Sequence, residues 1–97
     1  MTGRHGHTAC AYKDSIIIFG GEGPHPYGLK HRECYFDVRM FSPEHAEWSY
    51  MSCNGKPITS RRNHAACIVD TIMFVYGGID SEGLLLDETW GLNLSNI

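Results

Sequence analysis

The chain has 97 residues, a formal net charge of −3, 42% hydrophobic and 20% charged residues, the composition of a small globular protein. That charge gives no reason to expect nucleic acid as a partner, and no apolar run is long enough to span a bilayer, so no membrane association is expected. The start MTGRHGHTAC lacks the apolar segment of a signal peptide. Cys10, Cys34, Cys53 and Cys67 stand at wide, unequal intervals without C-x-x-C pairs, which predicts free thiols and a cytoplasmic location.

The first predicted strand is His7–Tyr12, an apolar and small run that follows Arg4-x-x-His7. A polar break at Lys13-Asp14-Ser15 leads to Ile16-Ile17-Ile18-Phe19, which ends at Gly20-Gly21. A short β-branched run bounded by glycine reads as a strand buried on both faces, and the short break makes the pair a hairpin. A loop is expected from Glu22 to about Arg32, then a third strand at about Cys34–Phe41, a turn at Ser42–Ala46, and a fourth strand at Glu47–Cys53. Asn54-Gly55-Lys56-Pro57 breaks the chain.

The pattern then starts again. Thr59–Gly78 aligns without a gap on Thr2–Gly21, repeating Thr, Arg, His, Ala, Cys and both glycines at an offset of 57 residues. Strands are expected at His64–Val69 and Ile72–Tyr76, followed by Gly77-Gly78, a loop at Ile79–Asp87 and a third strand at Thr89–Leu94. Pairing Asp37 with Glu88 makes this second loop six residues shorter than the first. No helical pattern of three turns occurs. Self-similarity at this period marks a repeat architecture, and four short meandering strands per unit have the size of a propeller blade.

Arg-x-x-His before one strand, a second strand ending in Gly-Gly, and then an acidic residue and a tryptophan resemble the kelch repeat. Repeat one supplies Arg4, His7, Gly20, Gly21, Asp37 and Trp48; repeat two supplies Arg61, His64, Gly77, Gly78, Glu88 and Trp90. Repeat one departs from the pattern in carrying Arg39 where repeat two has Trp90. The resemblance implies an all-β fold of four-stranded antiparallel blades in a kelch-type β-propeller, serving as a protein-binding platform. Residues 1–53 would form blade one with strands a to d, and residues 54–97 blade two with strands a to c, both in one propeller domain.

These motif residues are read as structural. The glycine pairs lack the following helix and lysine of a phosphate loop, so close backbone approach between blades explains them better. His7 recurs as His64, and a metal site would need three or four converging ligands, so no metal and no cofactor are expected. Cys10 and Cys67 are read as buried small hydrophobes, and Trp48, Tyr50 and Trp90 as packing between blades.

In an antiparallel blade the b–c and d–a connections share one edge. That edge carries Tyr27, Lys30, His31 and Arg32 in the first long loop, Lys56 and Arg62 in the d–a segment, and the acidic Asp80, Glu82 and Asp87 around Leu84-Leu85-Leu86 in the second loop. Function concentrates in loops on a rigid scaffold, and Arg and Tyr are enriched at interface centres. Tyr27, Lys30, His31, Arg32, Lys56 and Arg62 are therefore the candidate partner-binding residues, with a protein of charged surface as the partner. Two alternatives stand beside this non-enzymatic reading: a piece of a kelch-like carbohydrate oxidase or sugar epimerase, and a blade pair that self-associates. Two blades cannot close a ring, so a portion of a larger propeller is expected.

Overall fold

The computed structural model describes residues 3–25, 28–34, 37–51 and 59–95, with backbone alone for 24, 25 and 28–34. Among these residues there are nine strands and no helix. The first two, β1 (Thr8–Tyr12) and β2 (Ser15–Phe19), form a hairpin across Lys13-Asp14, with Cys10 opposite Ile17. The chain then makes a second hairpin, β3 (Glu22–His25) with β4 (Gly28–Cys34), before returning as β5 (Val38–Ser42) beside β2. The edge strand β6 (Glu47–Tyr50) completes a four-stranded antiparallel sheet in the order β1-β2-β5-β6.

Repeat two builds a three-stranded antiparallel sheet from β7 (Ala65–Val69), β8 (Ile72–Tyr76) and β9 (Thr89–Asn93). Its hairpin copies the first, with Cys67 opposite Phe74 where the first has Cys10 opposite Ile17. The left-handed turn residue recurs as well, Lys13 at φ 52° and Asp70 at φ 55°.

Two expectations need correction. The segment after Gly21 is not an open loop but the β3–β4 hairpin, and the third strand of repeat one starts at Val38 rather than Cys34. The reason is register. Only Val38–Phe41 lies opposite Phe19–Ile16, whereas Cys34 is opposite Glu22. The fourth strand is described to Tyr50; Cys53 lies outside the described residues.

Alternation decides which faces meet, because successive strand residues point to opposite sides. Tyr12, Ile17, Phe19 and Val38 from the four-stranded sheet pack on Met73, Val75 and Leu94 of repeat two, with Met40, Ala66, Ile68, Trp90 and Leu92 around them. The Tyr12 hydroxyl reaches the Leu94 carbonyl across this core at 3.4 Å.

The other expectations about packing hold unevenly. Trp90 packs against this core. Trp48 and Tyr50 are exposed: Trp48 lies beside Phe41, ring centroids 4.9 Å apart, and Tyr50 beneath the Arg39 guanidinium at 3.7 Å. Being opposite Phe41 and Arg39, whose side alternates with Met40 and Val38, they face away from repeat two. Cys10 is half-buried, but Cys67 is exposed, since its strand turns that position outward.

Candidate functional site

Each repeat ties its first strand to its glycine pair by one arginine. Arg4 Nη1 donates to the Gly20 carbonyl at 3.1 Å and to Asp37 at 2.9 Å. Arg61 Nη1 donates to the Gly77 carbonyl at 3.0 Å, and its Nη2 donates to Glu88 at 2.7 Å and to Thr59 Oγ1 at 2.9 Å. A planar guanidinium can serve a carbonyl and a carboxylate at once, which a lysine cannot. Burial alone would raise the Asp37 carboxyl, but hydrogen bonds and charge from Arg4 and Arg39 outweigh it and hold it below the ordinary carboxylate value.

The two sheets join along the backbone next to these clamps. The Gly21 amide donates to the Arg61 carbonyl at 2.8 Å, and the Asn63 amide to the Gly6 carbonyl at 2.8 Å. His64 sits edge-on to Phe19, centroids 5.1 Å apart, with Nε2 2.8 Å from Thr8 Oγ1. Glu22 completes the junction, with Oε1 2.7 Å from His5 Nε2 and Oε2 accepting from Arg62 Nε at 3.0 Å.

Burial, and then the nearby Arg61 cation, depress the His64 pKa to about 4, although a hydrogen bond with the Phe19 backbone opposes this. An unfolded histidine titrates near 6.5, so the folded state binds fewer protons below that value. The contribution is complete above pH 6.5 and is lost as pH falls through 4, a swing of about 3 kcal/mol. Urea midpoints should therefore fall between pH 6.5 and 4.5, and His64→Gln should flatten that slope.

The candidate partner-binding residues do not gather into one described cluster. Lys30, His31 and Arg32 lie on β4, Arg32 opposite Pro24; Tyr27 and Lys56 lie outside the described residues. Arg62 is half-buried at the junction with Glu22. The second long loop is tightly built. Asp80 Oδ1 accepts from the amides of Glu82 and Leu84, both at 2.9 Å, and Leu86 N donates to the Gly78 carbonyl. This turn leaves Leu84 60% and Leu85 83% exposed beside the acidic side chains. The leucine run was visible in the sequence, but its outward display depends on the Asp80 turn. Among the described residues, no three His, Cys, Asp or Glu side chains converge as a metal site would require, and no helix is long and apolar enough to cross a membrane.

Antiparallel sheets stacked face to face, each closed by its own arginine clamp and joined to the other along the backbone, define blades of a β-propeller. The solved structure of YjhT shares this fold, with a TM-score of 0.68 and 20% identity over 81% of this chain and 22% of that one. The model of the KLHDC2/KLHL20/DRC7 Kelch-repeats domain matches residues 1–97, and the chain belongs to the kelch-repeat family. Among curated relatives, the tRNA wybutosine-synthesizing protein 2/3/4 of Oryza sativa subsp. japonica is 32% identical over 84% of this chain and 7% of its own length. Kelch domain-containing protein 3 of Homo sapiens is 30% identical over 78% of this chain and 19% of its own. The F-box/kelch-repeat protein At1g51550 of Arabidopsis thaliana is 29% identical over 97% and 20% respectively. The chain thus spans a fifth or less of these relatives.

Proposed function

We propose that this chain is a protein-interaction module, two blades of a longer cytoplasmic kelch propeller, which binds a protein partner through the edge carrying the β3–β4 hairpin, the d–a segment and the Asp80 loop. The observation that supports this reading is the division of labour along the repeat. Arg4, Arg61, Gly20, Gly21 and His64 make hydrogen bonds or close contacts within and between the sheets, whereas the long connections differ between repeats in length, charge and form. These recurring residues serve the scaffold, and the long connections, which do not recur, can specify a partner.

Lys30 and Arg32 are the residues to test, because Arg62 is engaged by Glu22 and its reversal would also disturb the junction. Lys30→Glu with Arg32→Glu in the full-length protein should cut recovery of its co-purifying partner about tenfold, with an unchanged melting temperature. Unchanged recovery would reject this edge. Stoichiometric copper binding by the full-length protein would favour the oxidase alternative instead.

A further inference from the structure

The connection between β8 and β9 is held in one shape by its own main chain. The Leu86 amide donates to the Gly78 carbonyl at 2.9 Å, the Asp80 amide to the Leu84 carbonyl at 3.0 Å, and the Gly83 amide to the Asp80 carbonyl at 3.0 Å. Ile79 pairs with Leu85 on one side and with Arg62 on the other, so the turn stands on a ladder rooted at the blade junction. Leu84 enters this framework only through its amide and its carbonyl, both bonded to Asp80. Any residue but proline could make those two bonds. At Gly83, φ +83°, an added Cβ would meet no described atom within 4 Å, so the tip faces open space.

The turn therefore does not need leucine, yet it displays two. Leu84 and Leu85 are adjacent and mostly exposed, and they are carried on the connection rather than on the β7–β8–β9 sheet. Scattered exposed apolar residues are ordinary, but a contiguous pair on a rigid turn marks an interaction surface. The charge around the pair is of one sign. From Ile79 to Asp87 the chain carries Asp80, Glu82 and Asp87 and no lysine or arginine. Arg62, the cation on the ladder, is already paired with Glu22 at 3.0 Å. A preformed turn loses little conformational freedom on binding. Leucines alone would accept any apolar surface, whereas a carboxylate rim favours a basic one and repels an acidic one.

We infer that Leu84 and Leu85 anchor the chain to a protein partner by entering an apolar patch bordered by lysine or arginine. This inference rests on the reading of the connection edge as the binding edge, and adds to it the chemistry of the partner's surface. Leu84 and Leu85 supply the burial, Glu82 and Asp87 select the basic border, and Asp80 is a positioning residue that fixes the turn.

The test uses the full-length protein carrying Leu85→p-benzoylphenylalanine, irradiated in an extract of its own cells, with the crosslinked peptides mapped by mass spectrometry. Crosslinks should fall on a different protein, at apolar residues beside lysine or arginine. Glu82→Lys with Asp87→Lys should lower their yield about tenfold at an unchanged melting temperature. Crosslinks within the same chain would make a neighbouring blade the cover, and crosslinks to a second copy would make the contact self-association; either would overturn the inference. So would a yield that survives the charge reversal, a partner segment without lysine or arginine, or no crosslink at all. Leu84→Ser with Leu85→Ser, which needs no bulky probe, should cut recovery of the co-purifying partner about tenfold. If that variant keeps its partner while Lys30→Glu with Arg32→Glu loses it, the binding edge stands and this inference alone fails; if both keep it, both readings fail.

Discussion

Arg61→Met should destabilise the protein by about 3 kcal/mol, read as a lower urea midpoint at an unchanged slope. Arg61 is fully buried, and it supplies hydrogen bonds to the Gly77 carbonyl, the Thr59 carbonyl and Thr59 Oγ1 as well as to Glu88. Methionine fills much of the volume but donates nothing, so the two main-chain carbonyls lose their charged donor. The ion pair itself is the smaller part, because Glu88 is 44% exposed and can be hydrated when its partner is gone. Glu88→Gln should accordingly cost less than about 1 kcal/mol. If the two substitutions cost the same, the ion pair and not the carbonyl clamp would be holding the turn.

The second large effect is expected at Gly20. Its φ of +74° already disfavours any side chain, and an added Cβ would lie 2.5 Å from His64 Cε1 and 2.8 Å from the Arg61 carbonyl. Gly77 has nearly the same backbone, φ +68°, but there the added atom meets only the Leu86 carbonyl, at 3.3 Å. The two positions share the backbone strain, about 1–2 kcal/mol. They differ in what stands across from them. Gly20→Ala must displace His64 or the crossing main chain, and its total cost should reach about 3 kcal/mol or more.

The strand hairpins were legible because their signal is local: β-branched runs with a short turn before and Gly-Gly after. The propeller fold was legible because the pattern occurs twice in register. The β3–β4 hairpin was missed because Glu22–Cys34 has no alternation of apolar residues, and Gly23, Pro24 and Gly28 read as punctuation; its pairing comes from backbone register alone. Cys67 was misread for a different reason. Recurrence reports the same place in the repeat, not the same surroundings, and the equivalent of a buried position is exposed where no neighbouring sheet covers it. The roles of Thr8 and Glu22 were also hidden, because each is polar at a position where the other repeat is apolar, and their partners lie far along the chain.

The recurring residues Gly20, Gly21, Arg61 and His64 lock the two blades together, and the melting temperatures of Gly20→Ala and Gly77→Ala, both made in the 97-residue chain, test this. For a domain of this size, 1 kcal/mol corresponds to about 4–8 °C. Gly77→Ala should lose about 5–10 °C and Gly20→Ala at least twice as much. Equal losses would contradict it, because the glycine pair would then serve only its own turn and not the junction between blades.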